Sequence, residues 1–429
     1  MLPSVRQPDY PYSVPKFDLD LNDINDFNNE LRGFHEQFAD CFLRSESREH
    51  FFRYMSGQFS ELSRKSIEPI ACTIEGGKVR AMQRFVSDAS WDDKKIMFKY
   101  RNLVKEDLGH PDGALVFDES GFIKKGDNSI GVSRQYCGTA GKVDNCQVGV
   151  FAAYTSPYGY SLVNKRLFIP EKWFGPEYEM RREKCKLPDN IGFKTKPQLA
   201  VDMLEEIIEE KTLPARYILA DSLYGNSPEF IEAAESLAGI TYMVQIPETT
   251  LCWLKQPVTI KKDYTYKGKK RTKKIVSDES GKPISFKNIA VNLNDFFWYR
   301  RKVSEGTKGP IEYEFTKKRV VLAKDGLPHK TVWLLIRRSI EKHPQYSFFI
   351  SNAATSVRLK KLVWLSGLRW SIEQCFEETK TEIGMDHYEV RKFPGWHHHI
   401  LTCMLAHFFL WHIKIRLGKK STSYYSVAA

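Results

Sequence analysis

The first third of the chain has the apolar spacing of α-helices. From Asp23 to Phe42, apolar residues recur at alternating intervals of three and four, which places them on one stripe of a helix that Asn22 or Asp23 can cap. Similar spacing continues to about residue 109 and includes a basic, aromatic run over 78–105. The pattern predicts a helical region that is either a small bundle or a DNA-end-binding domain.

Between residues 114 and 246 the pattern is that of a mixed α/β sheet. Short apolar runs bounded by turn residues predict strands, and two longer runs with intervals of three and four predict helices. The order of three or four strands, helix, strand, helix, strand suits a mixed sheet with helices on its faces. The predicted strands are 114–117, 130–138, 146–155, 160–169, 217–220 and 241–246, and the predicted helices begin at Pro197 and span 227–238.

The alternation of strands and helices ends at residue 248, and the pattern from 248 to about 345 predicts an inserted β-rich subdomain. They contain a lysine-rich, hairpin-like segment, KKDYTYKGKKRTKK, and strand-like runs at 312–323 and 330–338. Such a basic run is usually a solvated loop, but in a DNA-handling protein it would lie over phosphates.

The last part of the chain is predicted to be helical. Helical spacing resumes at Thr355 or Ser356, either of which is a reasonable N-cap, and continues to about Ile383. A final apolar helix is predicted over 396–417, and it contains three adjacent histidines, His397 to His399. Adjacent residues on a helix point about 100° apart and cannot all reach one zinc ion, so we expect these histidines to pack in the protein.

Composition and charge favour a large globular protein with a polyanionic partner. The 429 residues are 42% hydrophobic and 28% charged, which predicts two or three domains with buried cores. A formal charge of +12 modestly favours nucleic acid as the partner. The first 15 residues lack a secretory signal's apolar core, no stretch is long enough to span a membrane, and the eight cysteines form no CxxC pair. We therefore expect a cytoplasmic protein with reduced, mostly buried thiols.

Three acidic residues are candidates for a metal site. Asp118 and Asp221 each end a predicted apolar strand, where a carboxylate lies at the rim of a sheet, although an Asp there is also a common turn residue. Glu373 has Arg369 four residues before it and Lys380 seven after it, so these side chains project from about the same helix face. Mg²⁺ takes oxygen ligands, and the three acids favour metal-assisted phosphoryl chemistry. The competing acids on this helix are Glu377 and Glu378.

Four segments of the chain carry a specific resemblance: VFDESGFIKKG, SRQYCGTAGKVDNCQVGVFAAY, LADSLYG and LRWSIEQCFEETKTEIGMDHYEVRKF. They resemble segments of bacterial insertion-sequence transposases with a DDE triad on an RNase H-like fold. The similarity covers about residues 60 to 415. The members that the chain most resembles carry a β-strand insertion between the second Asp and the Glu, and the separation of Asp221 and Glu373 leaves room for one.

The resemblance includes part of a signature around the glutamate. In related transposases the Glu lies in a Tyr-Arg-Glu-Lys signature, and Arg369, Glu373 and Lys380 match its spacing. Ser366 occupies the position of the Tyr, so the signature is partial and a DNA hairpin intermediate does not follow from it. Tyr224 and the glycine after it match the turn that follows the second Asp in such families.

The resemblance implies a DDE transposase, an enzyme with metal-dependent DNA cleavage and strand transfer. Asp118, Asp221 and Glu373 would be the catalytic residues and would hold two Mg²⁺ ions about 3.5–4 Å apart, with Mn²⁺ as a substitute. Water would attack at the end of the element, and the freed 3′-hydroxyl would then attack the target strand. The rival interpretations are an RNase H-like nuclease that never joins strands and a DNA-binding protein with an idle site.

The resemblance also implies DNA partners and a nucleoid-associated state when the protein is bound. The expected partners are double-stranded DNA, as terminal inverted repeats and target, and a second copy in a homodimer. Trp253, Trp298 and Trp333 lie in the insertion, where some relatives receive a flipped base on an aromatic residue. The expected DNA contacts are Arg369, Lys380, Tyr224, Lys124 and Lys125, together with Arg134 and Lys142.

The predicted fold is therefore α/β, an RNase H-like mixed sheet with flanking helices. We expect a helical, DNA-binding N-terminal domain over 1–110 and the first part of the catalytic domain over 111–247. The β-rich insertion would span 248–345, and residues 346–429 would complete the catalytic domain with the Glu-bearing helix and a C-terminal helix.

Overall fold

The computed structural model describes residues 21–420 except 268, 307 and 308, and the described chain forms two compact units. The discontinuous unit runs to Arg216 and resumes at Trp370, and the continuous unit is Tyr217–Arg369. Residues 1–15, which lack the apolar core of a secretory signal, lie outside the described residues. No helix in the described part of the chain is long and apolar enough to cross a membrane.

The helices are labelled in chain order. They are α1 (Leu21–Glu36), α2 (Ser45–Gln58), α3 (Ile67–Thr73), α4 (Val79–Asp88), α5 (Asp93–Leu108), α6 (Glu179–Lys184), α7 (Lys196–Glu210), α8 (Ser222–Gly225), α9 (Pro228–Ser236), α10 (Phe286–Val291), α11 (Leu359–Leu368), α12 (Trp370–Thr381) and α13 (Phe393–Lys420).

The strands are labelled in the same way. They are β1 (Ala114–Ile123), β2 (Ser133–Cys137), β3 (Lys142–Ser156), β4 (Gly159–Phe168), β5 (Tyr217–Ala220), β6 (Thr241–Ile246), β7 (Leu251–Trp253), β8 (Thr259–Tyr266), β9 (Lys269–Val276), β10 (Ile284–Ser285), β11 (Tyr299–Gly306), β12 (Gly309–Lys324), β13 (Leu327–Arg338) and β14 (Tyr346–Ser351).

In the discontinuous unit the long strand β3 organises an antiparallel sheet. Its partners are β1, β2 and β4. The prediction that the first strand ends before Asp118 is wrong, because β1 continues to Ile123 and pairs Asp118 with Phe151 of β3. A strand tolerates three polar residues in its middle when its neighbour supplies a continuous hydrogen-bonding edge.

Helices cover this sheet and bury a common core. The helix α12 packs on β1, β3 and β4, and α7 packs on β3 and β4. Ile372 and Cys375 of α12 are completely buried, and the ring of Phe376 lies 5.2 Å from that of Phe151. The last helix, α13, packs against α1, α2, α4 and α5 and against β4. The apolar surface of α13 is thereby covered by β4 and by helices from the first part of the chain.

The continuous unit contains a mixed sheet in the order β10-β7-β12-β13-β14-β6-β5, with β11 paired to β12. Only β5 and β6 are paired in parallel among the described strands of this unit. The strands predicted at 312–323 and 330–338 are confirmed as β12 and β13, and the hairpin-like basic segment forms a separate two-stranded sheet, β8–β9. The strand β14 was not predicted.

The predicted fold class is confirmed as mixed α/β, with a mixed sheet, flanking helices and a helical N-terminal region, and the RNase H-like topology with an insertion remains a prediction. The single helix predicted from Thr355 or Ser356 to about Ile383 needs correction. The first helix starts after Arg358, and a break at Arg369 separates α11 from α12. Gly384 has the expected stop conformation, with a φ of 77°.

Candidate active site

Asp118 is a half-buried carboxylate in the middle of β1. Its Oδ1 accepts a hydrogen bond from the backbone N–H of Glu119 at 2.8 Å. The neighbouring carboxylate of Glu119 forms an ion pair with Lys196 at 2.9 Å. Of these two adjacent acids, Glu119 is thus neutralised by a cation from α7, and the sequence pattern gave no signal of this pair.

Glu373 lies in the first turn of α12, the helix that packs on β1. Asp118 and Glu373 therefore belong to the same unit and stand on two elements that are in contact. A helix and a strand in one packed core hold their side chains in a fixed relation, and a shared role of the two acids remains a prediction. The apolar residues Leu365, Leu368, Ile372 and Phe376 are all buried.

The two competing acids of α12 have other surroundings. Glu377 is exposed. Glu378 accepts hydrogen bonds from Tyr160 and, at 2.7 Å, from His407. Burial alone would raise the pKa of Glu378, but the bonds from His407 and Tyr160 lower it below the ordinary value. The carboxylate of Glu378 is therefore held by Tyr160 and His407, and the choice among the three acids of this helix remains a prediction.

Asp221 follows β5 in the continuous unit and caps the short helix α8. Its Oδ1 accepts from the backbone N–H of Leu223 at 2.9 Å, and its backbone oxygen accepts from Gly225 at 2.9 Å. A Cβ on Gly225 would stand 2.0 Å from the carbonyl oxygen of Gln245, so only glycine fits there. In the predicted turn, the acid at the strand end is thus used as a helix cap, and the glycine is required by the close approach of the Gln245 carbonyl.

Lys380 is bound to the sheet by its ammonium group. The Nζ atom donates to the carbonyl oxygen of Gly121 at 3.1 Å and to the Oγ1 atom of Thr139 at 2.9 Å, and it lies 5.2 Å from the ring of Phe122. Burial lowers the pKa of Lys380. The lysine connects α12 to the part of β1 that follows Asp118. Its expected contact with DNA remains a prediction.

The other predicted DNA contacts differ in accessibility. Tyr224 is completely buried and packs on Phe230, so its side chain is not available to DNA in this structure. The Nζ atom of Lys124 donates to the carbonyl oxygen of Tyr388 at 3.0 Å and lies over that ring, and burial lowers the pKa of Lys124 to about 8. Lys125 is exposed. Arg369 is half-buried, Arg134 is exposed, and Lys142 is exposed with an ion pair to Asp144.

Ser366 and the tryptophans of the insertion can also be placed. The Oγ atom of Ser366, in the position of the signature's Tyr, is buried and donates to the carbonyl oxygen of Val363 at 2.8 Å. Trp253 and Trp298 are buried. Trp333 is half-buried, with the Nζ atom of Lys317 at 4.1 Å from its ring. Receipt of a flipped base by one of these tryptophans stays a prediction.

The three adjacent histidines pack in the core in three different directions. His398 stacks on Trp91 with ring centroids 4.0 Å apart, and His399 is hydrogen-bonded to the hydroxyl of Tyr54 at 2.7 Å. The Nδ1 atom of His397 lies 3.0 Å from the Nζ atom of Lys165. Seven of the eight cysteines are buried and all eight are unpaired, as expected; Cys72 is exposed.

The predicted ligands have the chemistry that a hard divalent cation needs. Asp118, Asp221 and Glu373 offer carboxylate oxygens, which Mg²⁺ prefers. Two of them belong to the discontinuous unit and one to the continuous unit. Within the described residues of either unit, no three His, Cys, Asp or Glu side chains are grouped as ligands of one ion. The donor set fits Mg²⁺, and the assembly of the triad remains a prediction.

Comparison with known proteins gives a family match over most of the chain. A family model described as DDE superfamily endonuclease matches residues 37–310, which is more than half of the chain. A protein of Microchaete diplosiphon named "Probable transposase for insertion sequence element IS701" is 23% identical over 350 residues, covering 80% of this chain and 77% of its own length. The NurA nuclease from Sulfolobus solfataricus matches 77% of this chain and 94% of its own at 10% identity, with a TM-score of 0.26, too low to carry an argument.

Proposed function

This chain belongs to the DDE superfamily of endonucleases, and we propose that it is a transposase that cleaves the ends of an insertion sequence and joins the freed 3′-hydroxyl to target DNA. The observation that carries the proposal is the family match over residues 37–310. The relative whose name gives it as a probable insertion-sequence transposase supports strand transfer over simple cleavage. A positive charge of +12 is consistent with a DNA substrate.

We assign the chemistry to Asp118, Asp221 and Glu373 as ligands of two Mg²⁺ ions, which Mn²⁺ can replace. When bound, the ions supply Lewis acidity for an in-line displacement at phosphorus. The chain's own part is to hold the carboxylates. Asp118 is fixed by the β1–β3 ladder, and Glu373 is fixed by α12, whose Lys380 is hydrogen-bonded to β1.

We assign the binding of DNA to exposed cations and to the helical N-terminal region. Lys125 and Arg134 are exposed and belong to the same unit as Asp118, so they are the proposed phosphate contacts. The domain boundaries predicted from the sequence, with a DNA-binding part before residue 110 and a catalytic part interrupted by an insertion, remain part of the proposal. So do a homodimer that bridges two ends and residence at the nucleoid while bound.

The test uses purified protein, labelled DNA with the inverted repeats that flank the gene, and Mg²⁺. Nicked ends together with joined product support the proposal, and EDTA should abolish both. Nicking that never proceeds to joining would identify a nuclease, and retention of DNA without cutting would identify an idle binder. Either of these outcomes overturns the proposed function.

The carboxylates are tested with isosteric changes, Asp118→Asn, Asp221→Asn and Glu373→Gln. Each should reduce cleavage by at least about 10³-fold, because a metal ligand is lost, while DNA affinity changes little. Glu377→Gln is the matched control on the same helix and should cleave normally. If Glu377→Gln is inactive and Glu373→Gln is active, the assignment of the helix face is wrong.

A further inference from the structure

More than half of the chain's formal charge is concentrated in one hairpin. Strands β8 and β9 form a two-stranded sheet that is separate from the large sheet. We call residues 259–276 the basic ribbon. The ribbon contains eight Lys and Arg and a single acid, Asp263, a net charge of +7 in a chain of +12. Every side chain described between 260 and 274 is exposed, so both faces of the ribbon are accessible to solvent.

The pairing register divides the cations between two unequal faces. Directly opposed residues of an antiparallel pair point to the same face, and successive residues point to opposite faces. Lys262 is opposite Lys273, and Tyr264 is opposite Arg271. The face that contains these residues has no acid, and we call it the all-basic face; its cations are Lys262, Lys269, Arg271 and Lys273.

The other face has a smaller positive charge, because it has fewer cations and one acid. Its cations are Lys261, Lys270 and Lys274, and it also contains Asp263, which accepts a hydrogen bond from the hydroxyl of Thr272 at 2.7 Å. We call it the mixed face. The two faces have the same strand lengths and the same exposure, and they differ in the number of cations and in the presence of the acid.

The ribbon holds like charges directly opposite one another. Lys262 faces Lys273 on one side, and Lys261 faces Lys274 on the other. Such pairs destabilise a hairpin, and an isolated two-stranded hairpin without a core is only marginally stable. A polyanion would offset this repulsion by attracting both lysines of each pair and would release its counterions, so the charge pattern is suited to a bound state with phosphates.

The spacing of the all-basic face matches a nucleic-acid backbone. Lys269, Arg271 and Lys273 are separated by two residues each along β9, or about 6.8 Å in an extended strand. One strand of duplex DNA presents a charge about every 3.4 Å along its axis, so cations about 6.8 Å apart would match every second phosphate. A two-stranded ribbon is also narrow enough to enter the major groove. The exposed ring of Tyr264 lies among these cations, 5.5 Å from the Nζ atom of Lys273.

We infer that the all-basic face of the ribbon is a binding surface for the phosphates of duplex DNA. The inference deepens the proposed function and rests on DNA being the substrate. It assigns a DNA contact in the continuous unit, on an element that contains none of the three proposed catalytic carboxylates.

The experiment compares two triple variants of the full chain with the same net charge. The first is Lys262→Gln, Lys269→Gln, Lys273→Gln on the all-basic face, and the matched control is Lys261→Gln, Lys270→Gln, Lys274→Gln on the mixed face. Each variant removes one opposed lysine pair and one further lysine, so any effect on the hairpin's folding is the same in both. Duplex affinity is measured by fluorescence anisotropy as a function of salt.

Loss of three phosphate contacts should reduce the slope of log affinity against log salt by about 2.7. Between about 50 and 200 mM salt, the parent should therefore lose roughly 40-fold more affinity than the all-basic-face variant, whereas the control should follow the parent within about threefold. Equal weakening by both variants would reveal only non-specific attraction by net charge and would overturn the inference, as would an unchanged slope in both. Displacement of the duplex by phosphatidylserine vesicles at equal phosphate concentration would also overturn it.

The outcome is separable from that of the proposed function. If the parent binds DNA with the expected slope but neither cuts nor joins it, the proposed function fails and the ribbon assignment stands. If the parent cuts and joins DNA and the all-basic-face variant binds like the parent, the ribbon assignment fails and the proposed function stands.

Discussion

A buried arginine at the centre of the discontinuous unit gives the sharpest prediction of stability. The guanidinium of Arg101 is fully buried, and it donates to both carboxylate oxygens of Glu210 at 2.8 and 2.5 Å and to Glu206 at 2.8 Å. Arg166 also binds Glu206. Burial alone would raise the pKa of Glu206, but Arg166 and Arg101 more than offset this and lower it to about 2.

We expect Arg101→Met to cost about 3 kcal/mol of unfolding free energy. A change in the pKa of Glu206 from 4.5 to about 2 corresponds to roughly 3.4 kcal/mol, and Arg101 supplies only a part of this. Because the carboxylate is also one-third exposed, we assign about 1 kcal/mol to its contact with Arg101. Removal of the two bonds to Glu210 leaves a second carboxylate without this partner. Breaking a buried ion pair costs about 3–5 kcal/mol, and the lower end applies here because both acids retain some solvent.

The assay is thermal unfolding of the parent and the variant at pH 7. A loss of about 3 kcal/mol should lower the melting temperature by roughly 5 °C for a unit of about 275 residues. The control is Arg181→Met, which removes an exposed pair to Asp127 and should cost less than about 1 kcal/mol.

The pH dependence provides a second check with a definite sign. A carboxylate with a lowered pKa stabilises the fold above its unfolded value near 4.5, and this contribution is lost as the pH falls towards about 2. The difference between parent and variant should therefore shrink across that window. If Arg101→Met melts at the temperature of the parent, desolvation of the guanidinium cancels its ion pairs and the reasoning is refuted.

Three further predictions concern individual contacts. Gly225→Ala should destabilise the continuous unit by about 1–3 kcal/mol, seen in thermal unfolding, because its Cβ would meet the carbonyl oxygen of Gln245 at 2.0 Å; an unchanged melting temperature would contradict this. Lys380→Met should lower the cleavage rate about tenfold because α12 loses its hydrogen bonds to Gly121 and Thr139, and an unchanged rate would contradict this; a salt slope of DNA binding reduced by about 0.9 would show the expected phosphate contact as well. Burial lowers the pKa of His398 from 6.5 to about 4, so the unfolded chain binds the proton at a higher pH than the folded chain does, and stability falls as the pH drops through that range. His398→Phe should reduce this loss of stability in acid unfolding, and an unchanged profile of stability against pH would contradict the prediction.

Strands and helices whose apolar residues form one continuous pattern between turn or cap residues were predictable from the sequence. The strands at 217–220 and 241–246 have the predicted bounds, because each is a short apolar run between turn residues. The helix that opens near Pro197 is α7, and its start is fixed by a capping box of Thr195 and Gln198. In these places the local preference and the buried face agree, so the pattern alone is sufficient.

Other features depend on contacts that are distant in sequence. The extension of β1 beyond Asp118 is set by its pairing with β3, and the three consecutive polar residues in the middle of the strand conceal it in the sequence. The break at Arg369 interrupts a continuous helical pattern without a proline or glycine at that position. Lys124 resembles a surface cation in the sequence, yet the carbonyl and ring of Tyr388 hold its ammonium group. The identity of a side chain does not reveal which distant residue it meets.

The enclosure of α13 has a consequence for biosynthesis. The helices before residue 109 remain without one wall of their core until Phe393 and the residues after it have emerged from the ribosome. At about 5–20 residues per second, that interval lasts roughly 15–60 s. During this time the aromatic surface that α13 later covers is open to chaperones, and a messenger truncated before this helix would yield a product that cannot mature.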